Sequence, residues 1–337
     1  MNPNIQFRRW LWNGIRLAVV AGIFVYLYHS GQFDFAKLRV VVQRPLIVLT
    51  ATFFILAGFM LSVERWRILL RVQDIMIGFR PAFQLSCIGL FFSMVLPGSV
   101  SGDVVKGYYL VRGQEQKTAL ATTIIADRLI GLYTIIVVAA LAVVFGFVRD
   151  GMSFNHGIWT EKPVRVLAIF IGLLGAGLTI AVVFFLLAGP RLWAWIRRCG
   201  ERLPLRNLTS PLFDGVMRYA SHPTLVLKAI MVSVLSQMPI YFAVGILAHL
   251  LGAQGLAVSD YLFILPVCFM INSIPIAPGG WGVGEVGFNA VFLLYGANMG
   301  AEVAFLLHSI ILLLAVVLGG VAYMTWSAKT RWQTTEE

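Results

Sequence analysis

Polar residues are so sparse along this chain that they read as punctuation between apolar runs. Crossing about 30 Å of hydrocarbon takes about 20 helical residues, and runs of that order lie at 13–30, 45–63, 118–147, 164–187, 224–250 and 301–326. The 118–147 run is long enough to require a steep tilt or an extension beyond the bilayer. Two further apolar runs, 82–96 and 260–276, stop short at Pro-Gly loops, and helix-compatible pieces follow at 103–112 and 285–296. A short helix, a loop and a second short helix make a re-entrant hairpin, which returns to the face it entered. The pattern predicts an all-α polytopic membrane protein with about six full spans and two re-entrant hairpins, at 82–113 and 260–297. It reads as a single integral membrane domain over 1–337, with a first half 1–188, a connector 189–223 and a second half 224–337.

The two loops carry the strongest signal. One runs from Pro97 and Gly98 to Gly102 and Asp103. The other holds Pro278, Gly279, Gly280, Trp281, Gly282, Gly284 and Glu285. A bilayer tolerates such broken backbone only where it is buried in protein or lines a wet cavity. Paired breaks in corresponding parts of two halves point to a transporter's substrate site.

Composition agrees with a membrane protein: 59% of residues are hydrophobic and 12% charged, and mean hydropathy is +0.85. Soluble domains sit nearer ~25% charged. Cys87, Cys199 and Cys268 are scattered and lack metal-ligand spacing, so they read as small apolar fillers without a disulfide framework. The net charge of +11 does not imply nucleic acid, because most Lys and Arg flank apolar runs, where they set topology and meet anionic headgroups. The N-terminal run follows Arg8 and Arg9 without a cleavage site, which predicts a retained first helix.

Charge placement adds orientation. Arg65, Arg67, Arg71 and Arg80, then Lys106, Arg112 and Lys117, then the many Arg of 191–218 all fall on one face if the N-terminus is cytoplasmic and both hairpins re-enter. That asymmetry fits the positive-inside rule, with both termini in the cytoplasm. It sends the first hairpin in from the cytoplasm and the second from outside, as in an inverted repeat with tips near the midplane. Trp193, Trp195 and Ile196 against Arg197, Arg198 and Arg202 read either as an interfacial amphipathic piece or as plain connector.

The order of Arg65-Trp66-Arg67, the Pro97-Gly98…Gly102-Asp103 loop, Asp127-Arg128 and the Pro278–Glu285 loop resembles the lysylphosphatidylglycerol synthase transmembrane-region family, also called flippase-like proteins. The resemblance covers nearly the whole chain. Its departure is Asp127, where the family commonly has Glu. The bacterial multiple peptide resistance factor fuses such a region to a soluble aminoacyl-transfer domain. Nothing after Lys329 could be that domain, so synthase activity is not expected here. The resemblance implies translocation of a lipid or lipid-linked substrate in a bacterial inner membrane.

Each candidate side chain has two readings. Asp103 and Glu285 follow glycine loops at helix starts, where a carboxylate meets the positive helix end. They are either caps, or ligands for a cationic headgroup, a coupling proton, or a cation that itself holds phosphate. Lys106, three residues beyond Asp103, can neutralise it. Asp127 and Arg128 are adjacent and diverge around the helix, so each needs another partner; Asp103 or Glu285 is the natural one for Arg128. An intramembrane Arg is expensive and its planar fork suits phosphate, which favours function for Arg128. The N–H groups around Gly98, Gly102, Gly279, Gly280, Gly282 and Gly284 add anion contacts. Trp281 is a gate, a stacking surface or filler, and Asn272 and Ser273 either satisfy the loop backbone or line the site. His249 and His308 read as hydrogen-bonded core histidines, Glu302 as a capping or interface acid, and Glu64 as membrane-boundary charge.

The leading function is a transporter that carries a phosphate-bearing lipid or lipid-linked headgroup between leaflets, with no enzymatic step and no cofactor or metal. The expected partners are a membrane phospholipid or polyprenyl-linked lipid and no nucleic acid. A second copy of the chain and a lipid- or glycosyl-transferase are further candidates. The alternatives are a non-transporting partner of such a transferase and an intramembrane hydrolase. Ser101 with His249 or His308 imitates a Ser–His dyad, and Asp103 with Asp127 imitates paired aspartates. Neither sits in the sequence context such enzymes need.

Overall fold

The computed structural model describes residues 22, 25–95, 101–111, 117–149, 162–187, 206–253, 256, 258–274 and 278–333. Among these residues no strand occurs, and the protein is an all-α polytopic membrane protein. In chain order the helices are α1 (Pro45–Val72), α2 (Phe79–Val95), α3 (Ser101–Val111), α4 (Lys117–Arg149), α5 (Lys162–Leu187), α6 (Arg206–Ser221), α7 (Pro223–Leu250), α8 (Val258–Asn272), α9 (Val283–Leu294), α10 (Gly300–Leu314) and α11 (Gly320–Gln333). Short helical turns at Phe35–Leu38 and Arg39–Gln43 precede them. α10 and α11 are joined through a π-helical turn, Ala315–Gly319. Five rods are long and apolar enough to cross a membrane: α1, α4, α5, α7 and the joined Gly300–Trp326. Most of the expected 13–30 span lies outside the described residues, although 25–29 are helical.

The chain folds as two compact units that interleave along the sequence. One comprises Met1–Ile55, Cys87–Val104 and Ile240–Glu337, the other Leu56–Ser86 and Val105–Pro239.

In the first unit short helices flank the second Pro-Gly loop. α9 runs back along α8, so closely that a Cβ on Gly287 would lie 2.5 Å from Ile271 Cγ2. α3 turns back along α2, where a Cβ on Gly102 would meet the Gly89 carbonyl oxygen at 2.1 Å. Small residues at these positions let the helices approach closely where no water is available to drive association. The 12 residues of α9 reach about 18 Å, well short of the hydrocarbon thickness. The two breaks also meet: a Cβ on Gly279 would fall 2.6 Å from Met94 Sδ, just before the first loop. Along the last rod the π turn brings Gly319 onto α2, 2.6 Å by the same measure from the Cys87 carbonyl oxygen. Cys87 and Cys268 are buried free thiols, the fillers expected; Cys199 lies outside the described residues.

In the second unit α4 and α5 pack closely at Gly175, whose Cβ would come within 2.6 Å of Ala140 Cβ. α6, from the connector, is held by Gln73, which donates to the Gly215 carbonyl at 2.8 Å. Tyr219 of α6 lies with Thr123 Oγ1 at 3.2 Å and the Leu69 carbonyl at 3.3 Å. Burial pushes the Tyr219 hydroxyl above its ordinary value, so it keeps the proton it donates. The Trp193–Arg202 stretch lies outside the described residues.

One boundary differs from expectation in a way that matters. α1 does not end near residue 63 but runs on to Val72, because Trp66, Leu69 and Leu70 are fully buried. Arg65 and Arg67, read from sequence as cytoplasmic-face charges, are residues of a continuous helix. Arg67 pairs with Glu64 one turn away.

Candidate functional site

Two polar centres form within the units, one in each. In the second unit Asp127 of α4 faces Arg65 of α1. The guanidinium grips the carboxylate in a fork, Nε to Oδ1 at 2.8 Å and Nη2 to Oδ2 at 3.2 Å, with both side chains mostly buried. Nη1 donates to Ser233 Oγ of α7 at 2.8 Å. Ser233 and Thr134 hydroxyls lie 2.7 Å apart, and Thr134 donates back to the Ile130 or Gly131 carbonyl. Ser233 is therefore the donor to Thr134, which also accepts from Gln237 Nε2 at 2.6 Å. The chain of donors runs outward from the guanidinium. Such a directed network orders its members and holds the arginine in one pose.

The cluster is cationic. Lys106 of α3 is buried, with Nζ 4.1 Å from the centroid of the buried Trp66 ring, a cation–π contact that stabilises an ammonium away from water. Arg65, Lys106 and Arg128 all place positive charge near Asp127. Remaining guanidinium N–H donors of Arg65 have no partner among the described residues. Spare planar donors on a mostly buried guanidinium are the chemistry that takes a phosphate.

In the first unit the second loop closes over a buried pair. Gly279, Gly280 and Gly282 all have positive φ, at 62°, 83° and 83°, a path that side-chain-bearing residues rarely follow. Glu285, in the first turn of α9, accepts the Gly282 N–H through Oε2 at 2.5 Å and holds His308 Nδ1 of α10 through Oε1 at 2.9 Å. Both side chains are essentially inaccessible. Trp281 rests against Phe305 and His308, with centroids 5.7 and 5.3 Å away. The Asn272 amide lies on Gly280 and Gly284, where Cβ atoms would meet its Oδ1 at 2.2 and 2.7 Å.

The structure thus gathers Asp127, Lys106 and Arg128 in one centre, and Glu285, Asn272, Trp281, Gly279, Gly280, Gly282 and Gly284 in the other. Of the two partners expected for Arg128, Glu285 has its oxygens held by His308 and Gly282 instead. Arg128 is exposed, and the arginine locked in the network is Arg65, because α1 continues past its expected end. Asp103 sits half-buried in the first turn of α3, with Gly102 on the Gly89 backbone; Gly98 lies outside the described residues. Ser273 and His249 are exposed, the latter at the end of α7. Glu302 begins α10 and is buried, accepting from the Asp34 N–H at 2.9 Å and facing Lys37 Nζ at 3.0 Å.

The residues missed from sequence are Arg65, Trp66, Ser233, Thr134 and Gln237, together with the pairing of His308. A signal was present. Asp127, Gly131 and Thr134 share one face of α4, and Ser233 and Gln237 share one face of α7. Polar and small residues at helical spacing within apolar rods mark faces that meet each other.

Residues 14–320 match the family described as the lysylphosphatidylglycerol synthase TM region. No curated protein and no solved structure matches the chain.

Proposed function

The chain belongs to the lysylphosphatidylglycerol synthase transmembrane-region family, and from that premise we propose that it is a bacterial inner-membrane transporter that carries a phosphate-bearing lipid headgroup between leaflets without altering it. The observation that supports this reading most is the Arg65–Asp127 fork, set in helices of membrane-spanning length with Lys106 and Arg128 beside it. Asp127 fixes the guanidinium plane, Ser233 fixes its rotation, and the spare N–H donors with the Lys106 ammonium receive the phosphate oxygens. Burial makes each contact worth more than it is in water. The acyl chains stay in lipid while the headgroup exchanges water for these donors. The paired Pro-Gly breaks of the sequence support a transporting rather than a purely scaffolding role, since discontinuous helices form the substrate and ion sites of transporters.

The experiment is headgroup binding and translocation by the purified full chain in liposomes holding a fluorescent anionic phospholipid. Arg65→Lys keeps the charge and loses the fork, and is expected to weaken headgroup binding about tenfold or more. Arg128→Ala, removing an exposed charge, is expected to weaken it only a few-fold. Binding and transfer unchanged in Arg65→Lys would remove the assignment of this site. Binding without transfer by the wild-type chain would favour the transferase-partner reading.

A further inference from the structure

We propose that Glu285, His308 and Asn272 form a proton-binding site that couples proton movement to transport, a role in which the Arg65 centre holds the headgroup and this centre holds the driving ion. The inference rests on the transporter reading above. Two acceptor atoms are buried here without a hydrogen-bond partner among the described residues: His308 Nε2 and Asn272 Oδ1. Both converge on Gly284, where a Cβ would lie 3.2 Å from the one and 2.7 Å from the other. One hydrogen-bonding group can therefore serve both. Buried polar atoms left unpaired cost about 1–3 kcal/mol each, so the bare arrangement is an unfinished one.

A proton finishes it. Glu285 Oε2 accepts the Gly282 N–H and Oε1 accepts His308 Nδ1–H, which leaves Nε2 as the open position of the ring. With Nε2 bare, the pair carries one negative charge, and acceptor faces acceptor across Gly284. When a proton from water adds to Nε2, no bond within the protein breaks and the pair becomes a neutral imidazolium–carboxylate. Its new N–H points at Asn272 Oδ1, directly or through one water.

Among the described residues no other charge is recorded against the His308 ring. The neighbours that face the His308 ring are Glu285 and Gly284 from α9, Trp281 from the loop and Asn272 from α8; only Glu285 is titratable. Asp260 is at the opposite end of α8 from Asn272, about 18 Å away along the axis. Glu302, at the start of α10, is engaged by Lys37 and the Asp34 N–H.

The proton state is also readable by the loop. The Asn272 amide lies flat on Gly280, and a half-turn of it presents Nδ2 to a bare Nε2 or Oδ1 to a protonated one. Because Gly280 has no side chain and a φ of 83°, that exchange of donor and acceptor bears directly on the backbone between α8 and α9. Proton uptake thereby biases the hairpin, the kind of local event that shifts a two-state element.

The test uses the full chain in vesicles carrying a fluorescent anionic phospholipid and an entrapped pH dye, with the membrane potential clamped. One proton should move with each lipid, and a one-unit pH gradient should produce about a tenfold leaflet asymmetry. His308→Gln should abolish both responses while headgroup binding at the Arg65 centre stays within about twofold. Wild-type lipid movement that is indifferent to the gradient and carries no protons overturns the proposal and leaves the transporter reading intact. Absent headgroup binding overturns the transporter reading instead. In that event, and if His308→Gln does not fold, histidine nitrogen NMR of the wild-type chain decides. A His308 Nε2 that gains and loses a proton as the pH is varied supports the site, and one that never changes state overturns it.

Discussion

At Gly284 a single hydrogen atom stands where any side chain would strike two others, since a Cβ would lie 2.5 Å from His308 Cε1 and 2.7 Å from Asn272 Oδ1. Gly284→Ala must push the imidazole off Glu285 or the amide off Gly280. It is expected to cost about 1–3 kcal/mol, read as a fall in the thermal unfolding midpoint. Gly177 of α5 offers the opposite case, with nothing within 4 Å of its Cβ position. There, alanine removes unfolded-state freedom, and a gain of about 0.5–1 kcal/mol is expected in the same assay. The buried acid Glu302 faces Lys37 at 3.0 Å. Lys37→Met leaves that carboxylate with one N–H partner, whereas adding Glu302→Gln relieves the unpaired charge. The double variant is therefore expected to be more stable than Lys37→Met alone, by about 1 kcal/mol or more.

At the level of elements, a polar ladder joins α1, α4 and α7 of the second unit in addition to apolar packing. Ser233 is its middle rung, accepting from Arg65 and donating to Thr134. Ser233→Ala strands both, and a loss of about 1 kcal/mol is expected, the modest figure reflecting how readily polar groups find other partners in a membrane. Headgroup affinity should fall with it, because the guanidinium loses the contact that sets its rotation. The helix pairs α8–α9 and α2–α3 instead come close at glycines, Gly287 against the Ile271 side chain and Gly102 against the Gly89 backbone. Gly102→Leu should separate α2 from α3, which carries Lys106, and is expected to lower both headgroup binding and transport, read in the binding and transfer assays.

For the whole molecule, the two compact units cut across the sequence halves, each drawing on both. The connector helix α6 belongs to the second unit through Gln73 and Tyr219. The last rod belongs to the first, with its π turn placing Gly319 on the Cys87 carbonyl. A π turn inserts one extra residue and rotates the helix beyond it, and such turns collect at functional places. Gly319→Ala, which would drive a Cβ to 2.6 Å from that carbonyl oxygen, is expected to destabilise the chain by about 1–3 kcal/mol and to slow transport if α2 moves against the last rod.

The sequence alone determined most of the apolar helices and the conclusion that the protein lives in a membrane, but not α6, which lies in the stretch read as connector. Run length, Pro and Gly act locally and need no partner to be read. It also marked Glu285, Asp127, Lys106 and the glycines of the second loop, because acids, cations and breaks are conspicuous in apolar surroundings. Only the tertiary structure decided which of them meet. Arg65 took the place beside Asp127 and His308 took the place beside Glu285, because pairing depends on which faces of distant helices are packed together and on how far each helix continues past its apolar run. Neither is set by the neighbours of a residue in sequence; both are set by the burial of side chains such as Trp66 and by close approach at glycines such as Gly131 and Gly284.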